Sequence, residues 1–331
     1  MRIKTLVILI ILLIASNLSS YWWPVEPQDK QHGINATLGE WRVGHFHAGV
    51  DINESLDSIY CPATSIVDTT ELKHNWIGKF RYIHVILLEF PHDTTLLPGD
   101  NIGYITGSHL HFRERSSDTM HWDNSDALNP LFHGTLTPYV DSTNPHIDSV
   151  KFYRQASDSL MTGILDNRVD ILSVAGDTRT DTAGHSAGHN VSVYRIGYEI
   201  KNILGSVVKD YWERIRFDTI LDPSNSSQLN LTYGSGSSRT HFRYWVTNDP
   251  FNDTTNLRNW YWNTKHRADS SGVSFPDSVD ADSIEVAQFK DGHYWVKIFA
   301  YDIRVNADSE SIMVRIDNFP PANDVGHFCH N

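Results

Sequence analysis

The chain has 331 residues with 40 Asp and Glu against 27 Lys and Arg, a formal net charge of −13, and its acids are spread along the sequence rather than blocked. That balance excludes nucleic acid and an anionic membrane surface as partners, since both need clustered Lys and Arg. The length fits two domains once a targeting segment is set aside, and two cysteines are too few for a disulfide framework.

Residues 1–20, MRIKTLVILIILLIASNLSS, open with Arg2 and Lys4 and continue through an unbroken apolar run from Leu6 to Ile14. The run is short of the roughly 20 residues that cross a bilayer, and small and polar residues follow it. This is the build of a secretory signal peptide, so the protein is expected to be exported to the periplasm, the cell surface or the medium. No cysteine marks a lipoprotein anchor at the cleavage region, and no second apolar span follows. No membrane contact is expected beyond the signal segment. YWWP at 21–24 is expected to cap the domain that follows it.

Between residues 41 and 115 the chain reads as short strands broken by Gly and Pro, among them VGHFHAGVDI, RYIHVILLEF and IGYITGSHLHF. In HLHF, His109 and His111 fall on one face of a strand, about 6–7 Å apart, with Leu110 and Phe112 turned the other way. In HFHAGVD, His47 and Asp51 would lie about 13 Å apart on a straight strand, too far to share an ion. Gly49, between them, permits a bend that brings the two side chains together. His47, Asp51 and one further nitrogen would complete a catalytic zinc site, which uses three protein ligands and keeps one position open. One of His109 and His111 would be that ligand, and the other would stand beside the open position to move protons or stabilise negative charge. His45, on the same alternation as His47, reads as a groove-wall or surface residue.

Beyond STNPHID, near residue 145, the pattern changes to longer strands with polar turns, such as NRVDILSVAG, NVSVYRIGYEI, HYWVKIFAYD and SIMVRIDN. Tyr294, Val296, Ile298 and Ala300 alternate with polar positions, and Ile312, Val314 and Ile316 repeat the pattern. Period two with turns between predicts an antiparallel sandwich. His185 and His189, in HSAGH, have a metal-like spacing but sit among turn residues, so a solvated loop is expected. NWYWN at 259–263 is read as packing rather than a carbohydrate platform. Cys61 and Cys329 have no metal-site spacing, and an oxidising compartment would let them pair.

HAGVD and HLHF together resemble the HxxxD and HxH motifs of the lysostaphin-like (LytM-domain) zinc endopeptidases, which cut peptide cross-links in bacterial cell walls. The flanks agree over residues 33–132: INATLGEWR precedes the first motif, LLPGDNIGYITGSHLHF leads into the second, and NPLF follows. The resemblance implies that His47, Asp51 and His111 hold Zn2+ and that His109 is catalytic. It also implies a second catalytic histidine, His84 in RYIHV, with His92 in EFPHD as the fallback, in a middle segment shorter than the family commonly shows. The reading is therefore an all-β protein: a signal peptide (1–20), a small antiparallel β-sheet peptidase domain (21–145) and an immunoglobulin-like β-sandwich (146–331). A monomer acting on the peptide part of peptidoglycan is expected. Two rival classes are a zinc-binding but catalytically silent regulator of wall hydrolases and a surface adhesion protein. Retention of all three ligands favours the enzyme over both.

Overall fold

The computed structural model describes residues 21–117, 126–132, 135–178, 190–252, 258, 260–264 and 291–318. The signal segment, His185 to His189 and Cys329 lie outside them, and with Cys329 the pairing to Cys61. Cys61 itself is buried, and its thiol donates to the carbonyl of Ala63 at 2.9 Å.

The described chain is all-β with two short helices. In the first part come β1 (Ile34–Ala36), β2 (Trp41–Arg42), β3 (His45–Phe46), β4 (Val50–Ile52), β5 (Ser58–Tyr60) and β6 (Ser65–Ile66). Helix α1 (Thr69–Leu72), β7 (Trp76–Ile77), β8 (Phe80–Ile83), β9 (Val85–Leu87), β10 (Thr95–Leu96), β11 (Asn101–Ile105), β12 (Leu110–Glu114) and β13 (Ala127–Leu128) follow. The second part holds β14 (His146–Arg154), β15 (Leu160–Met161), β16 (Ile164–Leu165), β17 (Arg168–Thr178), β18 (Asn190–Val191), β19 (Arg195–Asn202), β20 (Val207–Arg216) and β21 (Thr219–Ile220). Helix α2 (Ser226–Thr232), β22 (Arg243–Trp245), β23 (Trp262–Asn263), β24 (Gly292–Tyr301) and β25 (Ala307–Ile316) complete it.

The site-bearing sheet is centred on β12, which pairs antiparallel with β4 and with β8. Alternation does the sorting that the sequence predicts: Leu110 and Phe112 are fully buried, while His109 and His111 face the other way into a cavity. Phe112 stacks on Phe80 with ring centroids 5.5 Å apart and shares a core with Val50, Ile52, Tyr82 and Ile105. Each such side chain taken from water contributes about 1.5–3 kcal/mol. A separate antiparallel sheet of β5, β11 and β9 packs on the same core.

In the second part, β14 and β17 lead one sheet, and β16, β25, β24, β19 and β20 form the other, all antiparallel save the short β16–β25 pairing. Tyr294, Val296, Ile298, Ala300, Val314 and Ile316 point into the shared core as their period-two spacing predicts. Tyr261 and Trp262 of the NWYWN run are buried in this half, and Trp260 packs against Trp212, which agrees with the packing reading of those rings.

The two parts are joined by more than a linker. β13 pairs with β21, extending the β12 sheet across residue 145. Phe46, beside the first metal-motif histidine, packs on Phe217, Tyr233 and Phe251 of the second part. Gly39 shows how close this contact is: its φ is +89°, and an added Cβ would lie 2.2 Å from the Phe217 ring. Among the described residues no helix is long and apolar enough to cross a membrane.

Candidate metal centre

Three side chains from three segments converge where β3 bends into β4. The register of β4 on β12 sets Asp51 directly opposite His111, which brings their Cβ atoms to about 5 Å. His47 arrives from the end of β3, turned over by the bend at Ala48 and Gly49. The glycine there does more than permit a bend: a Cβ on Gly49 would lie 2.2 Å from the carbonyl oxygen of Phe112, so only a hydrogen lets β4 approach β12 this closely.

The contacting atoms form a tight triangle. His47 Nε2 is 3.0 Å from Asp51 Oδ1 and 2.9 Å from His111 Nδ1, and His111 Nδ1 is 2.8 Å from Asp51 Oδ1. Their protons do not suffice for hydrogen bonding alone. His47 Nδ1 donates to the carbonyl of Thr37 at 2.8 Å, so in the neutral form of the ring the lone pair falls on Nε2. Asp51 Oδ1 can only accept. At most one proton, on His111 Nδ1, serves both, so two lone pairs face each other at 3.0 Å without a donor. A cation resolves that conflict. Two imidazole nitrogens and a carboxylate oxygen suit zinc, whose tetrahedral ligands stand about 3.3 Å apart, slightly wider than this triangle.

The electrostatics keep the set ready for a metal. Burial opposes ionisation of Asp51, but the imidazoles of His111 and His47 outweigh it and hold the carboxyl far below its usual range. Burial pushes His111 down to about 4, so the ring is neutral at neutral pH and one of its nitrogens carries a lone pair.

Behind the triangle lies an orienting network that motif spacing only hinted at. Glu40 is buried and its Oε1 accepts from Thr37 N at 2.8 Å, from Thr37 Oγ1 at 3.2 Å and from Ser192 N at 3.3 Å. Its Oε2 accepts from Arg42 at 3.1 Å, and the other end of that guanidinium lies 3.8 Å from Asp51 Oδ2. Burial pushes the Glu40 carboxyl up, against the pull of Arg42 and then His47. Thr37 is thus fixed by Glu40, and the Thr37 carbonyl fixes the tautomer of His47. In the sequence GEWR is only a flank of the first motif, and no local pattern marks Ser192. Orienting partners of metal-ligating histidines typically control affinity 10–100-fold. Glu40→Ala is expected to weaken zinc binding by about that factor, and to lower stability by roughly 1–3 kcal/mol, since Arg42 loses one partner but keeps the Trp41 carbonyl and Asp51. Competition with a chromophoric chelator and urea unfolding check the two effects separately.

The remaining candidates separate cleanly. His109 Nε2 is 3.7 Å from Asp51 Oδ1, beside the triangle rather than in it. Burial pushes its pKa down, with Asp51 pulling the other way. His84 meets His109 edge to face, ring centroids 4.6 Å apart, and holds a left-handed backbone with φ +67°. Its carbonyl accepts from Thr106 N at 2.8 Å, which ties the β8–β9 junction to the loop before β12. His92, the fallback, sits at the surface with Asp68 and Asp93 and does not line this cavity. His45 does line it, as expected of a wall residue.

The cavity over the triangle has a volume of about 630 Å³. Arg81 and Arg113 form part of its wall, and Asp222, Pro223, Ser224 and Arg239 enter from the second part of the chain. Burial, and then the neighbouring Arg81, push the Arg113 guanidinium down to about 10. None of these wall residues was singled out in the sequence. A second carboxylate group, Asp141, Asp177 and Asp302, draws its oxygens within 4.8 Å of one another elsewhere in the fold.

No protein-family model matches the chain, and no curated protein does. Among solved structures, the NMR solution structure of lysostaphin aligns at 15% identity and a TM-score of 0.26, over 70% of this chain and 99% of that one. At that TM-score the likeness bears on neither fold nor chemistry.

Proposed function

We propose that the protein is an exported zinc endopeptidase that hydrolyses peptide cross-links of bacterial peptidoglycan. The observation that carries the reading is the His47–Asp51–His111 triangle, three convergent ligand atoms with too few protons to satisfy one another. The HxxxD and HxH motifs that supply these residues resemble those of the lysostaphin-like peptidases, and that resemblance gives the substrate class.

His47, Asp51 and His111 would hold the ion. When bound, zinc supplies Lewis acidity that polarises a carbonyl and brings the pKa of water to about 7. The protein's own groups do the rest. His109 overlooks the triangle from the cavity side, and burial, against the pull of Asp51, lowers its pKa and so favours the neutral ring. It takes the proton from the attacking water and delivers it to the leaving amine, work worth about 10²–10⁴ in rate. His84, packed edge-on against it, orients the His109 ring from outside the cavity lining.

The test is zinc stoichiometry together with amine release from purified peptidoglycan, with His109→Ala as control. One zinc per chain, and release that the control lacks, is the expected result. Bound zinc without release from several wall types would favour the silent regulator. Absence of zinc would overturn the reading.

A further inference from the structure

The face of β12 that carries His109 and His111 continues, two residues on, to Arg113. The strand register sets Arg113 directly opposite Arg81 on β8, just as it sets His111 opposite Ile83. The cavity wall therefore has a ligand row and, about 6–7 Å along the strands, an arginine row. Like charges directly opposite each other destabilise a sheet, yet both guanidiniums are held in place. Arg113 donates to the Asp126 carbonyl at 3.0 Å, and Arg81 donates through Nε to the His74 carbonyl at 3.2 Å. Arg239 closes the same cavity from the second part of the chain.

The acids at this wall offset the row only in part: Asp126 and Asp222 act on Arg113, against the three arginines Arg81, Arg113 and Arg239. Asp51 belongs to the metal triangle, and Asp222 accepts from Ser224 N at 3.0 Å and Ser224 Oγ at 2.5 Å. A cationic row inside a chain of net charge −13 is a local inversion of the protein's field. It draws an anion to the site where the remaining surface repels it.

We propose that the arginine row is a carboxylate-binding subsite, so that the substrate is a peptide carrying a free carboxylate within about two residues of the scissile amide. The fork of a guanidinium matches a carboxylate in a way a lysine does not. The inference rests on the peptidase reading for the word substrate, but the subsite is tested by binding alone. Three peptides suffice: pentaglycine capped at both ends, the same peptide with a free C-terminal carboxylate, and a capped peptide with one glutamate. Their Kd values are measured by calorimetry on the zinc-loaded protein and on Arg81→Gln, a partly exposed position whose loss removes one bond to the backbone.

A carboxylate is expected to tighten binding roughly tenfold or more, and the gain is expected to vanish in Arg81→Gln. Which of the two anionic peptides gains tells a chain terminus from a side chain. Equal binding of all three peptides overturns the proposal, and so does a gain undiminished in Arg81→Gln, since the carboxylate would then be held away from the Arg81–Arg113 pair, on the metal or on Arg239. Carboxylate preference without cleavage would retain the subsite and remove the peptidase reading. Cleavage without preference would do the reverse.

Discussion

His111→Ala will yield a folded protein without zinc and without hydrolase activity. His111 closes two sides of the triangle, at 2.8 and 2.9 Å, and with it gone His47 and Asp51 offer only two of the three ligands a catalytic site needs. The expected loss of zinc affinity is about a thousandfold or more, beyond the roughly 10–100-fold attached to an orienting group. The fold should survive, because the apolar face of β12 belongs to Leu110 and Phe112, which the substitution leaves alone. Metal analysis after gel filtration, beside a thermal melt, checks both halves of this statement. His109→Ala supplies the contrast: zinc retained, with turnover lowered by about 10²–10⁴. Equal zinc loss in both variants would refute the division of labour.

Gly49→Ala will unfold the site and much of the first part with it. The added methyl carbon would sit 2.2 Å from the Phe112 carbonyl oxygen and 3.0 Å from its carbonyl carbon. Both are backbone atoms of the central strand, so no rotamer change relieves the contact, and β4 must separate from β12. Overpacking typically costs 1–3 kcal/mol, and a contact this short against backbone should exceed about 3 kcal/mol. Because Asp51 and His111 face each other across that strand pair, zinc should be lost as stability falls. Gly44→Ala is the comparison. Its φ of +78° makes alanine strained there, but nothing lies within 4 Å, so a cost of about 1 kcal/mol is expected. Denaturant midpoints for the two variants decide the matter.

What could be read beforehand was what depends on near neighbours in sequence. Period two around His109, Leu110, His111 and Phe112 follows from strand geometry alone, and so does the buried alternation of Tyr294 through Ala300. The need for a bend at Gly49 followed from the distance between His47 and Asp51. The second reason for that glycine, the Phe112 carbonyl pressed against it, depends on strand pairing and so could not be read. His84 and His92 stood as alternatives on sequence, and three-dimensional register sets His84 beside His109 while His92 turns to Asp68 and Asp93. Ser192, Asp222 and Arg239 were invisible for a plainer reason: each lies more than a hundred residues from the motif it serves, and no local pattern marks it. Arg113 lies two residues past His111 on the same alternation, which sequence shows, whereas Arg81 stands opposite it only through the pairing of β8 with β12.

The continuous sheet made by β13 and β21 bears on how such a protein can be inherited. A tail that merely tethers can be exchanged between genes without loss. Here the later half supplies Ser192 to the hydrogen bonds behind His47, Phe217 to the floor under Gly39, and Arg239 to the cavity rim. A gene fusion at residue 145 would bring a foreign partner to a strand edge and a row of aromatic rings shaped for this one. The two halves must therefore change together, each substitution at the seam judged by its effect on both, and recombination at that point would be selected against.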